Sequence, residues 1–253
     1  MYHTRGLSDD EIVQLSVLVW QESAGEPGSV WPPILGLYNS IRVALTYLRR
    51  NRVQAEIGEY FGVSQSTVSR AITGLTPVLA KVLAERVPVA EDLDLRQQHI
   101  IDGTMLPCWS WAGHPELYSG KHKTTGLNVQ VVCDLSGRLV WVSDPVDGTR
   151  HDIAALRLSG VLDADHPDPW IADKGYLGSD TIRPIRKPVF RDLLDWEKKF
   201  NTAVNRIRYK IERAIANLKT WRVLHTDYRR PIETFATTIS AVLGVEFYRN
   251  ARE

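Results

Sequence analysis

The stretch from Gln54 to Thr73 admits few folds. Ile57, Phe61, Val63, Val68 and Ala71 recur where two short crossed helices need apolar contacts. Gly58 is small where such helices would touch. Gly62 falls at the turn, where a left-handed backbone is least strained without a β-carbon. Ser64 carries the hydroxyl needed to cap a second helix. These features agree on a helix-turn-helix and leave Gln65, Ser66, Thr67, Ser69 and Arg70 on the outer face of its second helix. Amide, hydroxyl and guanidinium groups in that place suit base edges and phosphates of DNA.

Helices surround this motif. Ser8 and Glu11 have capping-box spacing and open a helix to about Trp20. Gly25 to Gly28 break it, and Pro32-Pro33 introduces a second helix towards Arg50. Pro88 to Arg96 reads as a linker, so an all-α domain over residues 1–90 is expected, followed by a second domain over 91–253.

Beyond the linker the period changes. His99–Leu106, Leu127–Leu135 and Arg138–Ser143 are β-rich, and Ser136-Gly137 between the last two is a hairpin signal. A helix from His151 to about Leu158, a short strand at Trp170–Ala172, a long helix from about Asn201 to Arg222 and another from Ile232 to Arg249 follow. Three strands, a helix, a strand and then helices is the order of a ribonuclease H-like α/β domain, a mixed sheet flanked by helices.

Charge is unevenly spread. The formal net charge is +1, yet residues 181–231 hold 14 Lys and Arg against five Asp and Glu, while 93–180 is acidic. A basic segment fits either a polyanion such as nucleic acid or a solvated helical face. No apolar run reaches the ~18 residues of a membrane span, so no membrane partner is expected. Asp9-Asp10-Glu11 stands where a secretory signal would be apolar. The two cysteines suit a reducing cytoplasm. Together these features lead to the expectation of a cytoplasmic chain.

Three acids stand out by position. Asp102 follows Ile100-Ile101 on the first strand of the second domain, and Asp173 follows Trp170-Ile171-Ala172 on a later one. Adjacent parallel strands ending in aspartates would bring two carboxylates to one sheet edge. Hard divalent cations, Mg²⁺ with Mn²⁺ as substitute, take such oxygen ligands. On the long helix, Asn205, Arg208, Glu212 and Lys219 fall within a stripe of about 60° that borders the apolar stripe of Val204, Ile207, Ile211, Ile215 and Leu218. Glu212 is therefore the third candidate ligand. An amphipathic helix carrying a Glu212–Arg208 pair worth ~0.3–0.5 kcal/mol is the plainer reading of that stripe alone.

Ile101-Asp102-Gly103-Thr104, Ala172-Asp173-Lys174-Gly175-Tyr176 and the Arg208, Glu212, Lys219 helix resemble DDE transposases, in particular the bacterial insertion-sequence group related to PIF/Harbinger elements. Gly148-Thr149-Arg150-His151-Asp152 resembles a further family stretch. Asn205 stands where the family has a tyrosine. The resemblance implies two metal ions per site, held by Asp102, Asp173 and Glu212, with Arg208 and Lys219 positioning phosphates. It implies in-line displacement at phosphorus, first by water and then by the freed 3′-hydroxyl. The expected partners are double-stranded DNA, as element ends and as target, and further copies of the chain assembled on that DNA. A catalytically silent DNA-binding regulator and a metal-dependent nuclease that cuts without joining are the alternatives.

Other polar residues fit plainer roles. His151 and Asp152 open a helix, where the dipole favours an acid. Lys121-His122-Lys123 reads as an exposed turn as readily as a DNA contact. Trp109 and Trp111 suit packing more than base stacking. The histidines lack zinc-ligand spacing with the cysteines.

Overall fold

The computed structural model describes residues 5–23, 30–94, 96–109, 113–162 and 169–251. Gly25 to Gly28 and Trp111 lie outside them. In chain order the elements are α1 (Asp9–Glu22), α2 (Gly36–Arg50), α3 (Gln54–Phe61), α4 (Gln65–Val82), β1 (His99–Pro107), β2 (Tyr118–Ser119), β3 (Thr124–Asp134), β4 (Leu139–Val142), β5 (Val146–Asp147), α5 (Asp152–Ser159), β6 (Trp170–Ile171), β7 (Thr181–Ile182), α6 (Asp195–Leu218) and α7 (Phe235–Asn250). They form two compact units, Met1–Val87 with Lys219–Glu253, and Pro88–Leu218. Among the described residues no helix is long and apolar enough to cross a membrane.

The first unit is all helical. Ser8 caps α1 in the expected box: the Glu11 amide donates to Ser8 Oγ at 3.3 Å, and the Ser8 amide to Glu11 Oε2 at 2.6 Å. Gly62 ends α3 with φ 66°, in the left-handed region. A β-carbon on Gly58 would lie 2.5 Å from the Val63 carbonyl oxygen, which is why the turn needs a glycine there. Ser64 caps α4 by accepting from the Thr67 amide at 3.3 Å. Val68, Ala71, Ile72, Leu75 and Leu79 bury the inner face of α4.

By packing, the boundary differs from the expected division at 90. Residues 219–251 belong to the helical unit. Eleven of the sixteen residues of α7 are buried, on every side of the helix, so it must be surrounded by other elements. Trp221 is fully buried. Its Nε1 donates to Glu246 Oε2 at 2.7 Å, and the Arg49 guanidinium lies 5.0 Å from the ring centroid. A β-carbon on Gly6 would lie 2.7 Å from the same ring. Periodicity shows that α7 is a helix but not which surface covers it, so this return has no signature in the pattern of residues.

The second unit is a mixed sheet in the order β2-β3-β1-β6-β7, with β4 and β5 also paired to β3. β1 runs antiparallel to β3 over its whole length, from His99↔Asp134 to Pro107↔Gly126. It is parallel to β6, and β6 is parallel to β7. Ile101 and Val132 face a core with Trp141, Leu156 of α5, Trp170 and Tyr176. Since side chains alternate along a strand, Asp102 points to the opposite face, where α6 packs on β1 and β3. Helices flank the sheet on both faces, as expected of a ribonuclease H-like fold. α6 begins earlier than expected, at Asp195, because Glu197 accepts from the Leu194 amide at 2.7 Å and anchors the first turn. It ends at Leu218, so Lys219 falls just beyond it.

Candidate functional site

Register brings the two aspartates together. β1 and β6 pair in parallel at Ile100↔Ile171, and Asp102 and Asp173 each lie two residues further along. They therefore stand at the same level where the chains separate. β1 runs on past Asp102 to Pro107 along β3, close to the expected His99–Leu106. Only its pairing with β6 stops, and that leaves the sheet open beside the acid.

Arg208 of α6 bridges the pair. Its Nη2 lies 3.2 Å from Asp102 Oδ2 and its Nη1 2.9 Å from Asp173 Oδ1, and its side chain is only 11% exposed. Asp102 Oδ1 also accepts from the Gly103 amide at 2.9 Å. Burial pushes the Asp102 carboxyl up to about 6, against the opposing pull of Arg208 and that amide, with Asp173 and Asp152 adding to the rise.

Glu212 is exposed, one helical turn from Arg208. Among the described residues no group of three or more His, Cys, Asp or Glu side chains is arranged to hold a metal ion. Asp102, Asp173 and Arg208 are thus gathered, and Glu212 is not gathered with them. Asn205 is exposed as well. Lys219 belongs to the helical unit, where burial lowers its ammonium pKa.

In that unit Gln65, Ser66 and Arg70 are exposed on α4, Ser69 is half-buried and Thr67 is buried. The Thr67 hydroxyl lies 3.0 Å from Ser64 Oγ, so it belongs to the cap and not to the outer face assigned from sequence. Gln65, Ser66, Ser69, Arg70 and Thr73 line one side of a groove, with Trp31, Pro32 and Pro33 opposite.

Residues 101–245 match the family model for DDE superfamily endonucleases, and residues 40–85 match the helix-turn-helix of the same superfamily. The chain belongs to the DDE superfamily endonucleases. One relative, from Streptomyces albus G and named as a transposase for insertion sequence element IS112, is 32% identical over 87% of this chain and 83% of its own. A second, from Microchaete diplosiphon and named as a transposase for insertion sequence element IS702, is 26% identical over the same shares. A Xenopus laevis protein named as the nuclease HARBI1 is 24% identical over 54% of this chain and 45% of its own. No solved structure matches.

In this DDE endonuclease the donors gathered are carboxylate oxygens converging on one positive charge. Oxygen donors of that kind fit a hard cation such as Mg²⁺ or Mn²⁺. The Arg208 guanidinium supplies the balancing charge in the structure described.

A polar network on the other face of the sheet escaped the sequence reading. Asp152 accepts from Asn128 Nδ2 at 3.1 Å and from Lys121 Nζ at 2.5 Å. Tyr176 Oη, fully buried, donates to Gln130 Oε1 at 2.7 Å. The phenol is held well above its ordinary pKa by burial, and by the nearby charges of Asp102, Asp152 and Asp173. Gly103 makes room for this packing, since a β-carbon there would sit 2.6 Å from Asp152 Oδ1. The visible signal was the glycine directly after a strand aspartate. Asp152 thus ties this network together, with Lys121 as its charged partner.

Proposed function

We propose that this chain is a transposase, which binds the ends of a mobile DNA element through α4 and cuts and joins strands at Asp102 and Asp173. The observation that carries the reading is the convergence of those two carboxylates on Arg208, at one level of a mixed sheet, in a chain that also carries a complete helix-turn-helix. The relatives named as transposases support it.

Asp102, Asp173 and Glu212 would hold divalent ions, Mg²⁺ or Mn²⁺ and two per site. Those ions supply charge neutralisation at the scissile phosphate and a lowered pKa for the attacking group. For Glu212 to complete that set, its exposed side chain would have to turn towards the aspartates. Arg208, released from the carboxylates, would hold a non-bridging phosphate oxygen. Water attacks phosphorus, the bond to the 3′-oxygen breaks, and a 3′-hydroxyl and a 5′-phosphate remain. That hydroxyl then attacks a target phosphorus, and the target's own 3′-oxygen leaves with a proton.

The test is incubation with labelled DNA flanking the chain's own reading frame, with and without Mg²⁺, for the wild type and for Asp102→Ala, Asp173→Ala and Glu212→Ala. Metal-dependent nicks and joined products are expected from the wild type, and neither from any variant. Nicks without joined products would favour a nuclease, and binding without nicks a regulator. Full activity in Glu212→Ala would leave the site to the two aspartates.

A further inference from the structure

We propose that Arg230, 160 positions downstream of the recognition helix's own arginine, is a DNA-backbone contact of that helix. The proposal rests on the reading of α4 as the DNA-binding helix and extends it with a side chain from the C-terminal part of the same compact unit.

The placement follows from three anchors. Tyr228 is fully buried, stacks on Phe235 with ring centroids 4.3 Å apart, and shares hydroxyl contacts with Thr234 and Thr238 at 2.6 and 3.0 Å. Arg229 Nη2 donates to the Asn51 carbonyl at 2.6 Å, while Asn51 Nδ2 donates to Thr226 Oγ1 at 2.7 Å. Pro231 fixes the backbone on the other side. Between these anchors Arg230 reaches back to α4, where its Nη2 donates to Thr73 Oγ1 at 2.8 Å.

Thr73 lies three residues after Arg70. At about 100° per residue, Ser66, Ser69, Arg70 and Thr73 share one stripe of about 100° on α4. Thr73 donates its own hydroxyl hydrogen to the Ser69 carbonyl at 2.7 Å, so only oxygen lone pairs face Arg230. That neutral bond orients the guanidinium without neutralising it. Among the described residues neither Arg70 nor Arg230 has a carboxylate partner, whereas Arg5, Arg191 and Arg249 do. A positive pair left unpaired along the outer stripe of a recognition helix matches the row of phosphates beside a major groove. A guanidinium pre-ordered on a packed segment loses little freedom on binding.

The full chain is titrated against a labelled duplex from the DNA flanking its reading frame, and against a scrambled duplex of equal composition, over a series of salt concentrations. Arg230→Gln keeps a donor for Thr73 and removes the charge; Thr73→Val removes the tether and keeps the charge. If Arg230 contacts phosphate, Arg230→Gln lowers the slope of log affinity on log salt by about one, for both duplexes alike. Arg230→Lys then restores most of the slope, and Thr73→Val changes it little. An unchanged slope in Arg230→Gln, beside a reduced one in Arg70→Ala, overturns the proposal and keeps the reading of α4. Equal loss of affinity and melting temperature in Arg230→Gln and Thr73→Val, with no change of slope, makes Arg230 a staple only and overturns it too. A wild-type chain that binds neither duplex overturns the reading of α4 itself.

Discussion

The outer face of α4 and the acid pair of β1 and β6 are ordered by opposite means. On α4 the groups come from one turn-and-helix, fixed by the Ser64 cap, the left-handed Gly62 and the close approach at Gly58. In the sheet unit, Asp102 and Arg208 are 106 residues apart and meet only because strand register and the packing of α6 bring them together. The first arrangement stands ready once its local turn has formed. The second holds two like charges side by side and depends on a bridging cation to do so. The outer face of a recognition helix can thus be specified within twenty residues, even where a distant side chain such as Arg230 joins it, whereas a reacting centre needs much of the unit's topology.

The largest expected effect tests the bridging cation. Arg208→Ala should fold and bind end DNA, yet lower Mg²⁺-dependent cleavage by about 100-fold or more, since a misplaced scissile group is costly in rate. Lys219→Ala should lower it by a similar factor, with Lys219→Arg a partial rescue, if the family pattern around the helix applies to this chain. Cleavage rates beside a melting curve on each variant decide the matter. A fully active Lys219→Ala would confine the phosphate-positioning role to Arg208 and to the sheet unit.

Two glycines allow a smaller and more local comparison. Gly58→Ala drives a β-carbon against the Val63 carbonyl, a backbone atom that cannot swing away. The expected cost is ~1–3 kcal/mol of stability, with weaker DNA binding. Gly103→Ala meets the Asp152 carboxylate, a side chain that can turn once its bonds to Asn128 and Lys121 are given up. It should leave DNA binding intact and reduce cleavage, because the strand carrying Asp102 shifts. Titration and cleavage on both variants check this. Equal loss of binding in the two would mean that the units do not fail independently.

What could be read from sequence follows the same divide. The cap, the turn glycines and most packing positions of the helix-turn-helix were legible because they are neighbours in sequence, although Thr67 is buried and Phe61 and Val63 are only half-buried. The order of strands and helices was legible from period. Asp102 and Asp173 were legible because each follows apolar strand residues. The position of Glu212 was not, since periodicity places it on a stripe but cannot say which side chain of that stripe turns inward; Arg208 does. The return of Trp221 and α7 to the helical unit was hidden too, because an evenly apolar helix such as α7 names no partner. A fragment ending near residue 90 would accordingly lack the side chains that cover α4.

The smallest expected effect concerns how the two key helices begin. α4 is capped by the neutral hydroxyl of Ser64, whereas α6 is anchored by the carboxylate of Glu197. Both Glu197 oxygens accept from Arg191 at 2.7 Å, and those bonds, with the Leu194 amide, hold the carboxyl at about 2 against an ordinary value of 4.5. A depressed carboxylate pKa stabilises the fold above the unfolded value, and the contribution is lost as pH falls through the folded one. Acid between about 4.5 and 2 should therefore loosen the start of α6 with no matching loss at the start of α4. Glu197→Gln removes the titrating group, so its melting temperature should fall less steeply across that window and meet the wild type at the acid end. Amide exchange at Leu194 and Thr67 over the same range separates the two helix starts. Equal acid sensitivity at both amides, or an unchanged pH slope in Glu197→Gln, would show that the anchor of α6 owes nothing to its charge.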